Sequence, residues 1–164
     1  MINIGIIGHR NLYINDIHRY QSEIFQKFKQ LKQRYKKITL YSSLADGSDR
    51  LVIQEALKLD IGFITVLPME KNMYEIDFST DSQKEFNSLL DKSKGIITMS
   101  HKQTFCRDTQ YEDAGYYISD SSDILFALWD GKYNMLKGGT SETVKYHLNN
   151  NKKLWHIKVD RESI

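Results

Sequence analysis

The sequence has only one cysteine, Cys106, and one proline, Pro68, among its 164 residues. A single cysteine excludes an internal disulfide framework and a zinc site built from several cysteines. No segment approaches the ~20 consecutive apolar residues of a membrane-spanning helix. The N-terminus enters an apolar run directly, without the charged leader and small-residue cleavage site of a signal peptide, so we expect a cytoplasmic protein.

Strong charge of either sign is also missing. The formal net charge is +2 and the pI is about 8.5, which is too mild to indicate a nucleic-acid partner. The lysines and arginines that do cluster, between residues 27 and 37, follow one predicted helix and are typical of a solvated face. The five histidines fall in separate predicted elements without the spacing of metal ligands, so the sequence predicts neither a metal site nor a cofactor.

What the chain does contain is an alternation of short β-branched runs with helical patterns. Hydrophobic residues make up 40% of it, as in globular proteins, and we expect one domain over residues 1–164. Strands are predicted at 2–7, 38–43, 62–67, 96–99, 123–129 and 153–159. Helices are predicted at 17–31, 48–59, 81–92, 111–118 and 140–148, with a loop at 69–80. This alternation predicts an α/β protein, an open, mainly parallel sheet of about six strands with helices on both faces.

In open α/β sheets, ligands bind beyond the carboxyl ends of the strands, so the segments after each strand are the candidate sites. The strongest is Lys137-Gly138-Gly139-Thr140-Ser141-Glu142, before the last helix. Its glycines allow close backbone approach, and the helix start offers unpaired N–H groups to a phosphate. The alternative is a capping arrangement in which Thr140 or Ser141 caps the helix and Glu142 stabilises its first turn.

Two further segments follow the first two predicted strands. Gly8-His9-Arg10 places an imidazole and a guanidinium at the end of the first strand. The second segment runs from Ser42 to Arg50, and its candidate ligand contacts are Ser43, Leu44, Asp46, Gly47 and Arg50. Gly47 allows the turn, and Ser48 or Asp49 can cap the following helix. Arg50 can direct its guanidinium at a phosphate, or it is a surface arginine paired with Asp46.

The fifth predicted strand ends in Trp129-Asp130-Gly131. Asp130 and Gly131 are candidates for contact with a ribose hydroxyl, or they form a simple turn. Tyr74 and Tyr111 lie near other strand ends, where an aromatic ring can stack on a base, although tyrosines in helices are more often packing residues.

Taken together and in this order, these segments resemble the SLOG superfamily, a Rossmann-like group that contains the LOG phosphoribohydrolases and several nucleotide-sensing domains. The resemblance rests on the segments at 8–10, 43–50, 67–68, 122–123, 129–131 and 138–142, which span nearly the whole chain. It implies a nucleotide-binding domain. The glycine segment is shortened to Gly-Gly-Thr-Ser-Glu, with Lys137 where LOG enzymes usually have proline.

The shortened segment favours the branch of the superfamily that binds nucleotide-derived signals, of the ADP-ribose or cyclic-nucleotide type, in bacterial antiviral systems. The resemblance then implies a sensor or sequestering protein, with a small-molecule partner and a homo-oligomeric state as further expectations. The alternative that it implies is an N-glycoside hydrolase or transferase acting on nucleoside monophosphates. In that case Glu142 would be catalytic, with Asp130 or Glu75 as the acid.

Overall fold

The six strands form one parallel sheet in the order β4-β3-β2-β1-β5-β6. The structure is a computed structural model and describes residues 1–100 and 106–162. The strands are β1 (Ile2–Gly8), β2 (Ile38–Ser42), β3 (Gly62–Leu67), β4 (Ile96–Thr98), β5 (Ile124–Trp129) and β6 (Lys153–Lys158). Every neighbouring pair in the sheet is parallel, which confirms the predicted α/β, Rossmann-like class.

The helices lie between the strands, close to where the sequence places them. They are α1 (Ile17–Arg34), α2 (Ser48–Leu57), α3 (Lys71–Tyr74), α4 (Thr80–Leu90), α5 (Arg107–Asp120) and α6 (Thr140–Asn149). The prediction of a loop at 69–80 is wrong, because this segment contains α3 and a 3₁₀ turn at Glu75–Asp77. Tertiary packing orders this segment, since Tyr74 and Phe78 join Phe86 of α4 in an aromatic cluster.

The alternation of side chains along the strands divides the core into two layers. On one face, Ile4 of β1 and Phe126 of β5 pack with Tyr20 and Phe28 of α1 and with residues of α2. On the other face, Leu125, Ala127 and Trp129 of β5 pack with Ala114 and Ile118 of α5 and with Val144 of α6. Because both faces are covered, β5 is apolar throughout, as expected of a central parallel strand.

The strand order creates a switch point beside β1. After β1 the chain builds β2, β3 and β4 outward on one side, and α5 then carries it back to β5 on the other side of β1. Gly8 at the end of β1 lies in register with Leu128 of β5. A crevice therefore opens beyond the carboxyl ends of β1 and β5. In the part of the chain that the structure describes, no helix is long and apolar enough to cross a membrane.

Candidate ligand-binding cleft

A cleft of about 400 Å³ lies at this switch point. Its floor is the end of β1, and its walls are the β2–α2 loop, the start of α6 and the tyrosines of α3 and α5. Chemically useful lining residues are Gly8, His9, Arg10, Ser43, Asp49, Tyr74, Tyr111, Gly138, Gly139, Thr140 and Arg161. This volume lies in the range of small-molecule sites, which run from about 300 to 1,000 Å³.

The end of β1 packs directly on the start of α2. A Cβ at Gly8 would collide with the side chain of Ser48, and a Cβ at Gly47 (φ +78°) would collide with the carbonyl of Arg10. The carbonyl oxygen of His9 accepts hydrogen bonds from Ser48 N (3.1 Å) and Ser48 Oγ (2.7 Å). The first N–H of α2 is therefore satisfied by the protein itself.

His9 and Asp130 form a pair behind the cleft floor. His9 Nε2 lies 3.1 Å from Asp130 Oδ1, and Asp130 Oδ1 also accepts from Lys132 N (3.0 Å). Burial lowers the pKa of His9 despite the opposing effect of Asp130, so the imidazole is neutral at pH 7. Asp130 thus contacts His9 and stabilises the turn through Gly131 (φ +81°). Neither Asp130 nor Gly131 lines the cleft.

The start of α6 is open to the cleft. Gly138 has φ +73°, and a Cβ there would lie 2.7 Å from Tyr111 Cβ, so only glycine lets the chain pass this close to α5. Gly139 is the N-cap residue and provides no side-chain cap, while Thr140 lines the cleft. The N–H groups of the first helical turn lack intrahelical acceptors, and together with the helix dipole they favour an anion.

The next two residues turn away from the cleft. Ser141 Oγ donates to Asn134 Oδ1 (3.0 Å), and Glu142 Oε2 accepts from Gly138 N (2.5 Å). Tyr116 OH donates to Glu142 Oε1 (3.4 Å), and a hydrogen bond with Glu142 raises the pKa of Glu112. Glu142 therefore stabilises the turn before α6 and lines a neighbouring groove. The predicted cap at Thr140 or Ser141 is wrong, because Gly139 occupies the N-cap position.

Arg50 joins three elements inside the protein. Its side chain is 2% exposed, and Nε donates to the carbonyl of Leu44 (2.9 Å). Nη1 lies 3.0 Å from both Asp46 Oδ1 and Glu85 Oε2, and the guanidinium stacks on Phe78 at 4.7 Å. The predicted pairing with Asp46 is present, but Arg50 is buried and not at the surface, because it ties the β2–α2 loop to α4. Arg50 lies outside the cleft lining.

Two other arginines stand at the cleft mouth. Arg10 is exposed and lies over the ring of Tyr111, 5.3 Å from its centre. Arg161, which follows β6, lines the cleft and donates from Nε to Asn11 Oδ1 (2.9 Å). Arg161 was not predicted as a site residue, although it lies in the segment that follows the sixth predicted strand, where ligand contacts are expected.

A buried carboxyl group also lines the cleft. Asp49 is 4% exposed, and burial raises its pKa to about 6 although Ser42 Oγ donates to it (3.0 Å). Next to it in the lining is the fully buried Tyr74, whose hydroxyl has no hydrogen-bond partner among the described residues. The sequence indicated Asp49 only as a helix cap, because its burial depends on the packing of α2.

The predicted site residues thus divide into two groups. Those that line the cleft are Gly8, His9, Arg10, Ser43, Gly138, Gly139 and Thr140. Those that support it from outside the lining are Leu44, Asp46, Gly47, Arg50, Asp130, Gly131, Ser141 and Glu142. Over the described ranges, no three histidine, cysteine or carboxylate side chains are grouped so that they can hold a metal ion.

Comparison with known proteins gives structural matches only. No protein-family model and no curated sequence matches the chain. The structure of DNA processing protein A (DprA) from Streptococcus pneumoniae is similar, with a TM-score of 0.67 and 13% identity over 100% of this chain. The DprA of Helicobacter pylori, described with a single-stranded DNA binding mode, gives a TM-score of 0.64 and 17% identity over 94% of this chain.

A third similar structure is the structural-genomics target TM1055, with a TM-score of 0.57 and 11% identity over 94% of this chain. The chain spans 52% of the Streptococcus DprA, 64% of the Helicobacter DprA and 72% of TM1055. At identities this low, the three similarities show a shared fold.

Proposed function

We propose that this chain binds a phosphate-bearing nucleotide, or a signal derived from one, in the cleft between the ends of β1 and β5. The observation that carries the proposal is the open N-terminus of α6 facing the same cleft as Arg10 and Arg161. Unpaired N–H groups, a helix dipole and two guanidinium groups converge there, and each favours an anion. At the start of α2, by contrast, the N–H of Ser48 is already bonded to the carbonyl oxygen of His9.

The rest of the cleft suits the remainder of a nucleotide. Tyr111 provides aromatic surface in the lining, and Asp49, Ser43 and His9 provide polar groups. A cleft of about 400 Å³ has the size of a small-molecule site. The ligand class that we favour is ADP-ribose or a cyclic nucleotide, bound by a sensor or sequestering domain in bacterial antiviral signalling, as the SLOG resemblance implies.

The alternative, cleavage of an N-glycosidic bond, has less support from the geometry. The carboxylate of Glu142 is held by Gly138 N and lies outside the cleft lining. Glu75 lies 2.9 Å from Lys71 and hydrogen-bonds Asn87, and it is not in the lining either. Single-stranded DNA, the ligand in the description of the Helicobacter DprA, belongs in the same test as a competing ligand.

The test begins with mass spectrometry of small molecules released by denaturing the purified protein. Calorimetric titration with ADP-ribose, cyclic nucleotides, AMP, inorganic phosphate and a short single-stranded DNA follows. We expect an intact nucleotide to bind and to be recovered unchanged. Absence of binding by every phosphate-bearing probe contradicts the proposal, and release of free base and ribose phosphate replaces it with the enzymatic alternative.

The matched variants are Arg10→Ala and Arg19→Ala. Both arginines are exposed, but Arg19 lies on α1 and pairs with Asp16 and Glu23, away from the cleft. Arg10→Ala removes a charge-assisted contact worth about 1.5–3 kcal/mol, so the Kd of the ligand should rise by about 10-fold or more. Arg19→Ala should leave the Kd unchanged. Equal effects of the two variants would contradict a phosphate site at the cleft.

A further inference from the structure

Tyr74 presents a buried hydroxyl for which the described residues offer no partner. The side chain is 0% exposed, and its ring is fixed by Phe78 (centroids 4.9 Å apart) and Phe86 (5.7 Å). An unpaired buried hydroxyl is unfavourable. Tyr74 is among the lining residues of the cleft, so a ligand acceptor that reaches the hydroxyl would remove this penalty.

Asp49 offers the complementary group in the same lining. Its carboxylate accepts hydrogen bonds from Ser42 Oγ and from the backbone of Ala45. An ionised carboxylate can accept about four hydrogen bonds, so acceptor capacity remains for a ligand donor. Burial raises the pKa of the Tyr74 hydroxyl and the charge of nearby Asp49 adds to the rise, so Tyr74 stays a donor at neutral pH.

The subsite requires one ligand group that accepts a hydrogen bond from Tyr74 and donates one to Asp49. A phosphate oxygen is repelled by the carboxylate, a carbonyl cannot donate, and an ammonium group cannot accept. A hydroxyl group satisfies both requirements. With the phosphate assigned to the start of α6, the sugar is the part of a nucleotide that carries such a hydroxyl.

We infer that Asp49 and Tyr74 form a sugar-hydroxyl subsite, which makes the cleft selective for ribose phosphates over their deoxyribose counterparts. The inference rests on the proposed nucleotide function and names its ligand class more closely. It also replaces Asp130, the ribose contact predicted from sequence, because Asp130 lies against His9 and outside the cleft lining.

The test compares ligands that differ by one hydroxyl group. Ribose 5-phosphate is titrated against 2-deoxyribose 5-phosphate, and AMP against 2′-deoxy-AMP and 3′-deoxy-AMP, into the wild-type protein. We expect the ribose member to bind at least about tenfold more tightly in at least one comparison, because the deoxy ligand leaves buried polar groups unpaired. In Tyr74→Phe and Asp49→Asn, binding of the ribose ligand should weaken to the level of its deoxy counterpart.

Tyr146→Phe and Asp81→Asn are the matched controls, since Tyr146 OH bonds Asp120 outside the cleft and Asp81 is exposed. Both should keep the ribose preference. Equal binding of ribose and deoxyribose ligands by the wild type, or a preference that persists in Tyr74→Phe and Asp49→Asn, overturns the subsite and leaves the proposed function standing. If no phosphate probe binds at all, the proposed function and the subsite fall together.

Discussion

At the scale of single residues, folding buries the carboxyl group of Asp49, which forms no salt bridge with any of the described residues. Burial raises its pKa to about 6, while Arg10 and Arg50 lower it only in part. A pKa that is raised in the folded state means that the neutral form is favoured by folding. The contribution of Asp49 to the free energy of unfolding is therefore fully present below about pH 4, and it is lost as the pH rises through about 6.

Asp49→Asn should stabilise the protein at neutral pH while weakening ligand binding. Asparagine keeps the shape and never ionises, so the gain should be on the order of 1–3 kcal/mol at pH 7.5 and should vanish near pH 4. Urea unfolding of both proteins between pH 4 and pH 8 measures the difference. Asp81→Asn, at a side chain that is 95% exposed, should show no such pH-dependent gain. A gain of equal size at pH 4 and pH 7.5 would rule out ionisation of Asp49 as its cause.

At the scale of elements, the site depends on how closely the β1 end approaches the start of α2. Gly47 has φ +78° and its Cα faces the carbonyl of Arg10, while Ser48 bonds His9. These contacts fix the direction in which β1 delivers His9 and Arg10 to the cleft. A glycine in this loop was predicted to allow a turn, and the structure adds that it also makes room for a neighbouring strand end.

Gly47→Ala should destabilise the protein by at least about 2 kcal/mol, because it adds a left-handed backbone strain and a collision with Arg10. Gly95→Ala is the control, since a Cβ at Gly95 meets nothing within 4 Å. Urea unfolding should show a lower midpoint for Gly47→Ala only, with an unchanged slope. A midpoint close to wild type in Gly47→Ala would mean that the β1 end is not tightly packed on α2.

At the scale of the whole molecule, the cleft is assembled from segments that are distant in the chain. Residues 8–10, 43–49, 138–140 and 161 all contribute to its lining. A ligand that contacts several of them can bind only the folded protein, so its binding free energy adds to the stability of the entire domain.

A saturating nucleotide should therefore raise the melting temperature of the protein. At a free concentration 100 times the Kd, the added stability is about 2.7 kcal/mol, which corresponds to about 5–10 °C for a protein of this size. Differential scanning fluorimetry at increasing ligand concentration measures the shift, and Arg10→Ala should need a higher concentration for the same shift. An unchanged melting temperature at a concentration that saturates the calorimetric signal would show that the ligand does not prefer the folded protein over the unfolded chain, and therefore does not require the assembled cleft.

The amino-acid sequence by itself determined the class of fold and the positions of the strand ends. Short β-branched runs and helical periodicity are local properties, and they predicted β3 with the bounds that the structure gives, Gly62–Leu67. The sequence also indicated Gly138, Gly139 and Thr140, because a glycine pair before a helix allows close backbone approach to a ligand, although the same pattern fits a helix cap. The segment around α3 escaped prediction since it is ordered by the packing of Tyr74 on α4 rather than by local propensity.

Only the tertiary structure decided which polar side chains face the cleft. Arg50 and Asp49 are adjacent in sequence on α2, yet Arg50 points to Glu85 of α4 while Asp49 lines the cleft. Arg161 joins the site because β6 lies beside β5. The direction of a side chain depends on which elements pack around it, and that packing follows from contacts between residues far apart in the chain, which local sequence patterns do not contain.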